Sequence, residues 1–266
     1  MTINRISIIL MMILYGCDLI DYHQLDGRVK TDIPLLNQIN IDEIVKITES
    51  KDTVRFVFMG DTHRNDKETE AFVKHVNSKK NIDFVIHAGD ISDFGLKNEY
   101  ELTQRLMSNL NYPYIVLLGN HDIIAHGDLI YKKVFGPENF SFIVGDTKFI
   151  CVNTNALEYK NPPNIPDIQF INDELERGEA LRTIFVMHSP PCGDQFYNEN
   201  DYQEFESTIQ KFPNLLCCLY GHNHQFKESE LFNDGVVYYG CDNIQKRSYL
   251  LFKLYSEGYD YEYIKF

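Results

Sequence analysis

From Thr53 onward the chain alternates between two kinds of segment, and that alternation limits its fold more than any other feature. The apolar runs TVRFVFMG (53–60), DFVIHAG (83–89) and PYIVLLG (113–119) have strand length. Between them lie stretches with helical spacing. In 67–80 Phe72, Val73 and Val76 share a face, and in 97–110 Leu102, Leu106 and Leu110 form one row. Strands that are apolar on both faces must be covered on both, so βαβ units around a buried, largely parallel sheet are expected. Downstream, FSFIV (140–144) and KFICVN (148–153) flank Gly145-Asp146 like a hairpin. A helix over 168–176, a strand over 182–188, a helix over 202–212 and a strand over 215–221 follow. The tail, 226–266, reads as strand after strand, rich in Tyr and Phe. Helices early and strands late give an α/β fold of two stacked sheets covered by helices.

The chain before Thr53 is of another kind. Met1 to Arg5 carry one positive charge, Ile6 to Leu14 are almost wholly apolar, and Leu14-Tyr15-Gly16-Cys17 follows. This order is that of a short secretory signal, and the run is well below the ~20 apolar residues of a membrane span. The junction resembles a bacterial lipoprotein cleavage site, which implies residues 1–16 as signal peptide and an acylated Cys17 that anchors the protein in the cell envelope. Tyr15 departs from the small residue usual there. Residues 17–50 read as a tether and a lead helix, in which Asn40 and Glu43 form a capping-box-like start and Ile41, Ile44 and Val45 share a face. Residues 51–266 form a single domain on this reading.

A formal charge of −14, with no stripe dense in Lys and Arg, argues against a polyanionic partner, so no nucleic acid is expected. The five cysteines after Cys17 lack any CxxC spacing. Cys151, Cys217 and Cys218 sit in strands as small hydrophobes, and Cys192 and Cys241 could pair if they meet in space.

The chemistry lies where the strands stop. Their carboxyl ends deliver Gly60-Asp61-Thr62-His63, Gly89-Asp90, Gly119-Asn120-His121-Asp122, His188 and Gly221-His222-Asn223-His224. Ligands of α/β sheets gather at such ends. Each piece alone is weak: Gly-Asp is a common turn, and a single strand-end His is more often just a satisfied polar group. Together they place five of the nine histidines on one rim, with oxygen donors and no thiolate, a set suited to Mn, Fe or Zn. His23 and His75 read as solvent-exposed. His87 reads as supporting or core, and His126 as loop or pocket.

These five pieces, in this order over residues 53 to about 224, resemble the motifs of the calcineurin-like metallophosphoesterases. The resemblance implies a four-layer α/β/β/α sandwich, with two stacked mixed sheets flanked by helices. It implies two divalent ions, one held by Asp61, His63, Asp90 and His224 and the other by Asp90, Asn120, His188 and His222, with a bridging hydroxide attacking phosphorus. His121 would be the proton donor to the leaving group, and Asp122 would orient that imidazole or a metal ligand. Arg64 and Asn223 are possible substrate contacts, each with a bland alternative as surface Arg and loop former. Phe196 and Tyr197 line either a pocket or the core. The expected substrate is a small phosphorylated molecule, mono- or diester, with no protein partner. A nuclease and a catalytically silent metal- or phosphate-binding lipoprotein are the competing readings. The proton donor His121 favours catalysis, since a pure binder has no use for it.

Overall fold

The computed structural model describes residues 35–159 and 164–266. The expected signal, Cys17 and most of the tether lie outside the described residues. No helix among the described residues is long and apolar enough to cross a membrane.

In chain order the elements are α1 (Leu36–Thr48), β1 (Val54–Met59), α2 (Asp66–Asn77), β2 (Phe84–His87), α3 (Lys97–Met107) and β3 (Tyr114–Val116). A 3-10 turn (His121–His126) leads into α4 (Gly127–Val134), then β4 (Phe140–Val144), β5 (Thr147–Val152), α5 (Ile168–Arg177) and β6 (Arg182–Met187). The chain closes with α6 (Glu199–Ile209), β7 (Leu215–Tyr220), β8 (Lys227–Glu230), β9 (Val237–Gly240), β10 (Ser248–Tyr255) and β11 (Gly258–Lys265). One sheet runs β11-β10-β1-β2-β3 and the other β4-β5-β6-β7-β9-β8. In the first, β1, β2 and β3 are parallel and β10 joins antiparallel. In the second, β5, β6, β7 and β9 are parallel, with antiparallel β4 and β8 at the edges. Both sheets are therefore mixed, and helices cover their outer faces, as in the expected sandwich.

Three apolar layers hold the stack together. Between the sheets Phe56 stacks on Phe84 and Phe252 and meets Phe149 edge-on, with ring centroids 5.0–5.3 Å apart. Each such fully buried ring contributes about 2–3 kcal/mol by transfer from water. Outside the first sheet Val57, Val85 and Val116 pack against Phe72 and Val76 of α2 and Tyr100 of α3. Outside the second, Phe185 and Tyr238 pack with Ile171 of α5 and Phe205 of α6. The parallel strands are thus greasy on both faces because both faces are covered.

Several local expectations are corrected. Helix α1 starts at Leu36, so Asn40 is no cap: it is buried in mid-helix and donates to the Tyr114 carbonyl at 2.5 Å. One turn earlier Asn37 both donates to and accepts from Val116 (2.8 and 3.0 Å), which satisfies part of the open edge of β3. Val45 is exposed. Helix α3 buries Tyr100, Thr103 and Met107 rather than the leucine row. The Tyr100 and Thr103 hydroxyls reach the Asp122 and Ile91 carbonyls, so their polar tips are satisfied inside. His75 is half-buried between Tyr249 and Phe266 rather than solvated, its ring 5.8 and 5.3 Å from theirs. Helix α6 begins at Glu199, three residues before the expected start, because Asn198 accepts from the Asn200 and Asp201 amides. Cys192 is exposed, Cys241 is buried, and both are free thiols.

Candidate metal centre

The donor residues sit on tight turns just beyond β1, β2, β3, β6 and β7. Asp61, Asp90, His222 and His224 all have left-handed backbone, with φ of 54, 59, 62 and 53°. Non-glycine residues adopt that conformation at a cost, and such outliers gather at functional sites. Gly119 lets two of the turns touch: a Cβ there would lie 2.2 Å from both the backbone N and Oδ1 of Asp90.

Two trios of ligand-type atoms converge, His63 with Asp90 and His224, and Asp61 with Asp90 and His188; within each the atoms lie within 4.8 Å of one another. Asp90 belongs to both. Asp61 falls with His188 rather than in the first trio, although its Oδ1 is also 3.7 Å from His224 Nε2. Asp90 Oδ2 is 3.4 Å from His188 Nε2 and 3.7 Å from His63 Nδ1. Asn120 Oδ1 lies 3.0 Å from both His188 Nε2 and His222 Nδ1, which ties the remaining donors to the second trio.

Hydrogen bonds behind the rings set their orientation. His188 Nδ1 faces the Ala88 carbonyl at 2.8 Å and donates to it, which turns Nε2 toward Asp90 and Asn120. Both Asp61 oxygens are buried without any hydrogen bond. A buried carboxylate without donors is stable only if it stays neutral or meets a cation, and the imidazoles and carboxylates gathered around Asp61 are a donor set that fits divalent metal ions. The buried ionisable groups of the site strongly shift one another. Burial, reinforced by Asp90, pushes the Asp61 carboxyl well above the usual range. Burial also disfavours a charged His188, yet the Asp90 carboxylate outweighs it and raises the imidazole to about 9. For Asp90 the same pairing with His188 outweighs burial and holds its carboxyl well down. His63, His222 and His224 are shifted toward the neutral, ligating form, chiefly by burial.

His121 belongs to neither trio. Its ring stacks on His63 with centroids 4.7 Å apart, its backbone N–H donates to Asp90 Oδ1, and Nδ1 donates to the Asp93 carbonyl at 2.9 Å. Asp122 does not orient that ring. It is fully buried and accepts from the amides of Asp90, Gly119 and Ser92 and from the Ser92 hydroxyl at 2.8–2.9 Å, clamping the Asp90 turn. Burial and the neighbouring Asp90 raise its carboxyl to about 7. His87 is buried beneath the same turn, accepting from Gly89 N at Nδ1 and meeting Thr62 Oγ1 at Nε2, so it supports the site. Arg64 pairs with Asp93 at 2.5 Å and lies over the Phe94 ring, so its guanidinium is already engaged. Asn223 and His126 are exposed. Phe196 is core, whereas Tyr197 is exposed.

Sequence reasoning passed over Asp93 and Asp194. Asp93 lies three residues after Asp90; its carbonyl accepts from His121 Nδ1, and its carboxylate lies 3.7 Å from the same nitrogen. Asp194 Oδ1 is 2.6 Å from His222 Nε2, and a Gly-Asp pair six residues after His188 was the available signal.

A family model described as calcineurin-like phosphoesterase matches residues 54–226. The uncharacterized Bacillus subtilis protein YvnB is 27% identical over 245 residues, covering 78% of this chain, which spans only 18% of that relative's length. A 3',5'-cyclic-nucleotide phosphodiesterase of Nostoc sp. is 26% identical over 199 residues, 66% of this chain and 74% of that one. The crystal structure of a dimetal phosphatase from Danio rerio shares the fold, with a TM-score of 0.61 at 11% identity over 80% of this chain and 98% of that one.

Proposed function

The chain belongs to the calcineurin-like phosphoesterase family, and from that premise we propose that it hydrolyses a phosphodiester at a site for two divalent cations, Mn, Fe or Zn. Asp61, His63, Asp90, Asn120, His188, His222 and His224 would hold the pair, with Asp90 shared. Bound there, the cations would supply charge to the phosphoryl oxygens and acidify the attacking water. The observation that carries the reading is the pair of buried, donor-free Asp61 oxygens, grouped with Asp90 and His188 and with one oxygen 3.7 Å from His224 Nε2.

The chain's own residues do the rest. Asp122 holds the Asp90 turn, so the shared carboxylate stays aimed into the site. The Asp93 carbonyl accepts a hydrogen bond from His121 Nδ1, which leaves Nε2 as the nitrogen from which the imidazolium would give its proton to the departing alkoxide. The diester choice follows from charge. Among the described residues Arg64 and Lys246 stand at the rim, and each is already paired with a carboxylate, Asp93 and Asp242. Neither of these two cations is free to meet the second charge of a dianionic monoester, whereas a monoanionic diester needs none. The Nostoc relative's name as a phosphodiesterase is in keeping with this.

The envelope setting is part of the proposal. The charged start, apolar run and Cys17 support a lipid anchor, and the net charge speaks against nucleic-acid partners. Fatty-acid labelling that Cys17→Ser abolishes would establish the anchor. For the chemistry, residues 18–266 are loaded with each metal and assayed on paired chromogenic mono- and diesters, with metal content measured alongside. Diester turnover that depends on bound metal is expected. His121→Ala should keep its metals and lose about 10²–10⁴ in kcat. A loaded protein inert toward both esters would support the silent-binder reading instead.

A further inference from the structure

Strand β6 delivers more than His188. Directly after it, Ser189 N donates to Thr154 Oγ1 at 3.0 Å, which pins the start of the following turn. Gly193 N then donates to the Pro190 carbonyl at 3.2 Å. A Cβ at Gly193 would meet that carbonyl oxygen at 2.8 Å, so the turn is as tight as it is because the position is glycine. The tightness brings Asp194 back over the rim, where its Oδ1 lies 2.6 Å from Nε2 of His222, a residue contributed by the turn after β7.

The two partners differ in exposure. The Asp194 side chain is 77% exposed and the imidazole 13%. An ion pair with so exposed a partner adds little to folding stability. Its effect falls on the ring instead. With a carboxylate accepting at Nε2, the proton of neutral His222 is fixed there, and the Nδ1 lone pair is turned toward Asn120 Oδ1, 3.0 Å away. Carboxylates behind ligating imidazoles fix tautomer and orientation and raise ligand basicity, and their loss typically costs 10–100-fold in metal affinity.

We infer that Asp194 is a positioning residue for one cation site: the turn after β6 sets the ligating face of His222, so the segments after β6 and β7 bind that cation as one unit. This rests on the metal-site reading above. The other trio member positions, His63 and His224, have no contact with Asp194 and should be indifferent to it.

The test is a titration of metal-free protein with Mn²⁺ and with Zn²⁺ by calorimetry, for the wild type, Asp194→Ala and Asp194→Asn. One class of site should weaken 10–100-fold in Asp194→Ala, and less in Asp194→Asn, whose amide oxygen still accepts the Nε2 proton. The other class should keep its affinity, the metal-free melting temperature should hold, and saturating metal should restore kcat. Unchanged affinity at both classes overturns the inference, as does equal weakening of both with a lowered melting temperature, which would make Asp194 merely structural. A wild type that takes up no divalent ion fails at the earlier step and overturns the metal-site reading itself, a result separable from failure of the variants alone.

Discussion

Replacing His87 by leucine should remove an acid sensitivity from the fold, and the size of the effect can be worked out beforehand. The imidazole is fully buried. Nδ1 already accepts from Gly89 N at 3.1 Å, so a proton there would face another donor. Burial lowers the group from 6.5 to about 3. Because the folded pKa is depressed, its stability contribution is complete above pH 6.5 and drains away as pH falls toward 3. At pH 4 the loss is about 2.5 units at 1.36 kcal/mol each, or about 3 kcal/mol. His87→Leu does not titrate, but it strands the Gly89 amide and the Thr62 hydroxyl, at about 1–3 kcal/mol for each buried group. At pH 7 the wild type should therefore be more stable by about 3 kcal/mol, and at pH 4 the two should be nearly equal. Urea unfolding in a chelator, at both pH values, measures the difference without a metal-binding contribution. Other carboxylates titrate in both proteins and cancel. A gap at pH 4 as wide as that at pH 7 would refute the reasoning.

Three further outcomes follow from the same site and its surroundings. Asp122→Ala strands three buried amides and should cost about 3–9 kcal/mol in chelator-held unfolding, with the Asp90 turn loosened and metal content reduced. Gly119→Ala drives a methyl into the Asp90 backbone, so the purified variant should carry markedly less metal by elemental analysis, whatever its melting temperature. Glu206 is raised to about 7 by burial, with a bond to Asp234 adding to it, so its contribution to stability is lost as pH rises toward 7; Glu206→Gln should flatten that part of the stability profile.

The strands were legible because a strand greasy on both faces leaves a plain mark in the sequence: β1, β2 and β4 to β7 fall within a residue or two of their expected runs, and β3 stops three residues short of its own. The helices were less so. The leucine row of α3 misled because Tyr100 and Thr103 bury their bodies while their hydroxyls find loop carbonyls, and such long-range partners leave no periodic trace. Asn40 looked like a cap because its true acceptor, the Tyr114 carbonyl, is 74 residues away. At the site, the donor types and their order could be read, since each sits at a strand end and all but His188 lie within three residues of a glycine. How Asp61 divides between the trios could not, because that depends on left-handed turns whose side-chain directions no local spacing encodes. Asp93 and Asp194 went unseen for a related reason: one works through its carbonyl, and the other through a partner on a different strand.

Four of the residues around the rim share a backbone geometry that an L-amino acid with a side chain tolerates poorly. Glycine at positions 61, 90, 222 and 224 would relax the chain and, by that term alone, make a hardier protein. It would also be an empty-handed one. Durability and chemistry thus pull in opposite directions at the same four places, and any screen for heat-resistant variants of this chain should be expected to discard the site first.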